Sequence, residues 1–135
     1  MKNIVVLSLF ISLIVLVMSV SVYFYYITPL SEYSYQTTAY VTRDVAGFDV
    51  NSSALTFGSI VPGGTSTRSI TVDNSYSFPI KVQPEVEGSI QKIISYQPLF
   101  VGPNQSLKLD FTVYAESIDF LGNYTGNIKI KLTRA

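Results

Sequence analysis

The chain has 135 residues, a formal net charge of zero and only 13% charged residues, so it has no basic surface to displace the counterions of a nucleic acid. It contains no His, Cys or Trp. That composition excludes disulfides, removes the usual ligands of zinc, copper and iron–sulfur centres, and leaves a Ser-His-Asp or Cys-His engine without its base. No cofactor is expected, and no catalytic constellation can be assembled from these residue types.

From Asn3 to Ser31 no residue is charged, and Ile4–Ile27 is an apolar run interrupted only by Ser and Tyr. As a helix the run spans about 36 Å, against about 30 Å for the hydrocarbon of a bilayer. Ser8, Ser12, Ser19 and Ser21 are expected to return their hydroxyls to the helix's own carbonyls. Tyr23, Phe24, Tyr25 and Tyr26 form an aromatic belt suited to the outer interface, and Pro29 stops the helix. Lys2 precedes the run, which places the N-terminus in the cytoplasm and the rest outside. The competing reading is a cleaved signal peptide with Ser19 and Ser21 at the cleavage site. The length of the run and its terminal aromatics favour an uncleaved anchor.

Residues 28–47 follow as a juxtamembrane strand or stalk. Tyr33, Tyr35, Thr37, Ala39 and Val41 share one phase; Ser34, Gln36, Thr38, Tyr40 and Thr42 share the other. The stretch Ser31 to Val45, with this alternation and no Gly or Pro, is strand-competent. It is expected either to complete its own domain or to be donated to the open sheet edge of a neighbour, with Tyr33, Tyr35, Thr37, Ala39 and Val41 as the inserting face.

Residues 48–135 form the expected folded ectodomain. Phe48–Val50, Leu55–Val61 and Ile93–Val101 are short strand candidates. The longer runs alternate cleanly. Ile70 and Val72 oppose Ser69, Thr71 and Asp73. Phe78, Ile80, Val82, Pro84 and Val86 oppose Lys81, Gln83, Glu85 and Glu87. Leu107, Leu109, Phe111, Val113 and Ala115 oppose Lys108, Asp110, Thr112, Tyr114 and Glu116. Tyr124, Gly126, Ile128, Ile130 and Leu132 oppose Thr125, Asn127, Lys129 and Lys131. In these runs every charge falls on the polar phase, as half-buried strands require. Turn residues separate the runs at Pro62-Gly63-Gly64, Asp73-Asn74-Ser75, Gly88-Ser89, Gly102-Pro103-Asn104 and Leu121-Gly122-Asn123. Pro84 cannot donate to a ladder, which predicts an edge or a bulge there. About seven short strands with this punctuation predict an all-β, antiparallel, immunoglobulin-like sandwich behind one N-terminal transmembrane helix.

The side chains that offer chemistry are few. Asn51, Asn104 and Asn123 head N-glycosylation sequons in predicted loops or loop edges. Asp44, Asp49, Asn51, Asp73 and Asn74 are oxygen donors, but no run has calcium-loop spacing, and they read as solvated turn residues. Glu85 with Glu87, and Asp110 with Glu116, fall on the polar phase of strands among lysines, where nothing desolvates them as a catalytic pair requires. Arg68 is in phase with Ile70 at a strand start and is expected to snorkel to the rim.

The stretch LTFGSIVPGGTSTRSITVDNSYSFPIKV, from Leu55 to Val82, and the later Gly122-Asn123-Tyr124-Thr125-Gly126-Asn127-Ile128 carry a resemblance. They are similar to the immunoglobulin-like ectodomains of archaeal and bacterial surface proteins, including TasA/camelysin-type fibre subunits and archaeal bundling pili. The resemblance covers roughly Phe48 to Leu132. It implies a β-sandwich and a non-enzymatic structural or interaction role at the cell surface. The expected partners are the membrane, other envelope or surface proteins, and the chain itself. The alternatives are a filament subunit assembled by strand donation after leader removal, and an accessory subunit of a membrane machine such as an archaellum stator.

Overall fold

The computed structural model describes residues 2–43, 54–117 and 120–135. Helix α1 (Lys2–Ile27) is followed by eight strands: β1 (Ser31–Val41), β2 (Leu55–Ile60), β3 (Thr65–Asp73), β4 (Ile80–Gly88), β5 (Ile94–Tyr96), β6 (Leu99–Val101), β7 (Ser106–Tyr114) and β8 (Gly122–Arg134). A short 3₁₀ turn, Ser89–Lys92, separates β4 from β5. The predicted strand Phe48–Val50 lies outside the described residues.

Asn3–Ile27 is long and apolar enough to cross a membrane, with a mean hydropathy of 2.8, and its apolar span is not buried in the β-domain. Its serines behave as expected: Ser8, Ser12, Ser19 and Ser21 donate to the carbonyls of Val5, Leu9, Leu16 and Val17 at 2.8–2.9 Å. A helix apolar on every side has no stripe to dock on a soluble core, which is the pattern of a segment solvated by lipid.

The chain is otherwise mostly β, in two sheets. One has five strands in the order β2-β1-β8-β4-β6; the other has three, β3-β7-β5. The alternating runs land on the expected faces. Ile80, Val82, Pro84 and Val86 are buried in β4, and Leu109, Phe111 and Val113 in β7. Ile128, Ile130 and Leu132 are buried in β8. Phe111, Ile80, Val82 and Ile128, drawn from both sheets, lose all solvent contact. Each such side chain contributes about 1.5–3 kcal/mol by leaving water. Pro84 occupies the kind of position expected of it: β6 flanks β4 only from Ile80 to Val82, so the strand is open on that side by position 84.

The architecture departs from a purely antiparallel sandwich. β1 runs parallel to β2, pairing Thr37 with Leu55 and Val41 with Ile60. The five-stranded sheet is therefore mixed, and it curls toward the smaller sheet. The expected strand over Ile93–Val101 divides at Gln97-Pro98. β5 pairs with β7 in one sheet and β6 pairs with β4 in the other. Proline has no N–H to continue a ladder, so the crossing between sheets falls at that position.

The registers give the domain two ends. Helix α1 enters at the near end, where Ser31 faces Leu132 and Ile80 faces both Arg134 and Val101. The far end carries the β2–β3 turn, where Gly63 at φ 81° supplies the left-handed backbone of the Val61–Gly64 turn.

Candidate functional site

β1, the segment expected to complete its own sheet or a neighbour's, pairs antiparallel with β8 of its own chain at eleven successive positions, from Ser31↔Leu132 to Val41↔Gly122. Of its predicted inserting face, Thr37, Ala39 and Val41 are buried, Tyr35 packs partly against the core and Tyr33 is 50% exposed. The burial is graded because β2 begins only at Leu55, opposite Thr37. In the far half, β2 lies beside β1 and is tied to β3. The Ser66 hydroxyl donates to the Phe57 carbonyl at 2.9 Å, and Arg68 Nε donates to the Thr56 carbonyl at 2.9 Å. Arg68 thus binds the neighbouring strand rather than simply extending to the rim.

In the near half, β1 and β3 continue without β2 between them. Among the described residues no strand pairs with the outer edge of residues 31–36, and β3 is an edge of its own sheet. The result is a groove of about 250 Å³ with a floor of Ile70, Val72, Ile130 and Leu132 and lips of Tyr33, Tyr35, Thr71 and Asp73. Two unpaired sheet edges beside an apolar floor make a surface competent to bind an extended chain.

The near end holds a second cluster, centred on Asn74. Asn74 is buried, and its side chain acts as a hub. The two hydrogens of its Nδ2 are shared among the carbonyls of Phe78, Val101 and Gly102 at 2.9–3.0 Å, while its Oδ1 accepts the Tyr76 N–H at 3.0 Å. The expectation of a solvated turn residue is corrected here. The Asx turn exists, but the amide is turned inward, because three carbonyls at the end of two loops need a donor. The loop it ties down presents Tyr76 and Phe78 as a stacked pair, ring centres 5.0 Å apart. The Arg134 guanidinium lies 5.5 Å from the Phe78 ring and 3.8 Å from the Tyr25 ring of α1, and its Nη1 donates to the Tyr25 carbonyl at 2.9 Å. A cation at a helix C-terminus also meets the negative end of the helix dipole. A signal for Arg134 was present in the sequence: unlike Lys129 and Lys131, it falls on the phase of Ile128, Ile130 and Leu132, a cation on the apolar side of the last strand.

The remaining candidates separate in space. Asn104 is exposed in the β6–β7 turn at φ 54°, toward the near end. Asn123 is exposed toward the far end, the second residue of β8 and so at a loop edge, opposite Tyr40. Asn51 lies outside the described residues, as do Asp44 and Asp49. Asp73 accepts a hydrogen bond from the Ser106 hydroxyl and Asp110 from that of Ser69. Among the described residues no three acidic side chains gather as a metal site would require.

Glu85 and Glu87 bond across strands to Lys131 and Lys129, each at 2.9 Å. Hydrogen bonding to Glu87, then its charge, raises the Lys129 pKa above the ordinary lysine value; hydrogen bonding to Glu85 does the same for Lys131. These carboxylates are paired with lysines on a solvated face. Comparison of the chain with protein-family models, curated proteins and solved structures yields no match.

Proposed function

We propose that this chain is a single-pass, membrane-anchored surface protein without catalytic activity, with its N-terminus inside and an immunoglobulin-like β-domain outside. The domain serves a structural or interaction role toward other envelope proteins or a glycan layer. The observation that carries this reading is the junction. The span-length apolar helix passes into β1 through only Thr28–Leu30, and the Leu30 N–H already bonds the Leu132 carbonyl at 2.7 Å. A helix meant to be discarded has no need of such a junction with the folded domain. The test is fractionation followed by mass measurement of the mature N-terminus. The protein is expected in the membrane pellet after alkaline washing, beginning at or near Met1, with protease reaching the β-domain only from outside. A soluble mature form beginning near Val22 overturns the anchor.

The groove favours one second reading, a filament subunit that receives an extended strand from a neighbouring copy between the edges of β1 and β3. Such head-to-tail contacts propagate. Electron microscopy of the native surface, with cross-linking from cysteine placed at Tyr33, separates the two: ladders of cross-linked copies support the filament, and a monomer supports the tethered module.

A further inference from the structure

Four groups form one continuous stack at the near end: the Tyr25 ring of α1, the Arg134 guanidinium, the Phe78 ring and the Tyr76 ring. Tyr25 belongs to the Tyr23–Tyr26 belt at the end of the apolar helix, the position where aromatic side chains sit among lipid headgroups. Arg134 is bonded to that residue, so it shares its depth. Phe78 and Tyr76 follow within successive ring-stacking distances. The Asn74 hub prevents their loop from folding away. Tyr76 is 38% exposed, and at the same end Leu107 is 42% exposed. Partly exposed aromatic side chains, one with a polar tip, beside a cation are the composition of an interfacial contact. The Arg134 Nε is shielded and has no hydrogen-bond partner among the described residues, so any contact of the guanidinium with an outside group falls to its terminal nitrogens.

Resting on the membrane-anchor reading above, we propose that the near end of the β-domain is itself a lipid-binding surface. Tyr76, Phe78 and Arg134 lie in the headgroup layer beside the helix, and the domain is held down on the bilayer rather than swinging above it. The occupant of this surface is the outer leaflet, because the chain passes from this end directly into the apolar helix.

The absence of native Trp makes the test direct. Single-Trp variants of the full chain, Y76W, V61W at the far-end turn and F24W in the helix, are reconstituted in vesicles containing lipids brominated on the upper acyl chain. Emission of Y76W and of F24W is expected to be roughly halved by the brominated lipid, and that of V61W unchanged. Adding R134A to Y76W should remove most of the quenching, with R134K recovering part of it; circular dichroism confirms that each variant is folded. Quenched F24W with unquenched Y76W overturns the docked domain and leaves the anchor standing. Unquenched F24W overturns the anchor and the docking together. Quenching of Y76W equal to that of V61W, with both strong, shows a domain lying on its side and also overturns the proposed contact.

Discussion

The two halves of β1 have the same alternating pattern and different fates. From Thr37 to Val41 the strand has β8 on one side and β2 on the other, and its inward side chains are buried. From Ser31 to Gln36 it has β8 alone among the described strands, and its inward tyrosines line an open groove. The far half of the domain is therefore closed by apolar packing and main-chain pairing. The near half adds polar and aromatic clamps to its apolar core, Asn74 inside and Arg134 against the helix. The near end is also where the chain passes into the apolar helix α1.

The sharpest way to break this contrast is to place the same charge on each half. Val41→Asp puts an unpaired carboxylate where no water reaches and should cost several kcal/mol, on the order of the whole margin of a small domain. Tyr33→Asp, one inward position of the same strand but half exposed, should change stability by less than about 0.5 kcal/mol. Thermal unfolding of the detergent-solubilised chain by circular dichroism measures both. Equal loss at both positions would show that the groove is closed in solution.

Asn74→Ala tests whether the near half depends on its polar hub. The substitution strips a donor from three carbonyls and an acceptor from the Tyr76 N–H, at a cost of about 3 kcal/mol. The expected fall in unfolding midpoint is more than about 10 °C for a domain of this size. Asn74→Asp should not rescue it, because a carboxylate cannot donate. A smaller effect belongs to Thr37, whose buried hydroxyl donates to the Leu55 carbonyl at 2.8 Å where β2 begins. Thr37→Val keeps the shape and removes the donor, and should cost about 1 kcal/mol. Faster amide exchange confined to β2 would mark Thr37 as the latch between the closed and open halves.

The smallest effect lies on the outer face, which both halves share. Lys129 and Lys131 have raised pKa values, so their contribution is fully present below the unfolded lysine pKa of 10.5 and is lost as pH rises through the higher folded values. A slight destabilisation confined to the alkaline side of that value is expected, and it should vanish in the Glu85→Gln, Glu87→Gln double variant. A comparable loss near neutral pH would contradict the assignment of these pairs.

By itself the sequence determined the helix and the phase of every long strand. Twenty-four uncharged positions from Ile4 to Ile27 admit little else, and charges sorted onto one parity in β4, in β7 and in β8 as far as Leu132 declare which face meets water. Only the tertiary structure decided which strands are neighbours and in which direction. Backbone N–H and C=O groups are nearly the same at every residue, so the parallel β1–β2 pair and the division of residues 93–101 between two sheets left no mark in the alternation. The same holds for the inward turn of Asn74 and the reach of Arg134 to Tyr25. Each depends on carbonyls and rings brought together from distant parts of the chain, and a short-range pattern records a side chain's polarity but not the partner that folding brings to it.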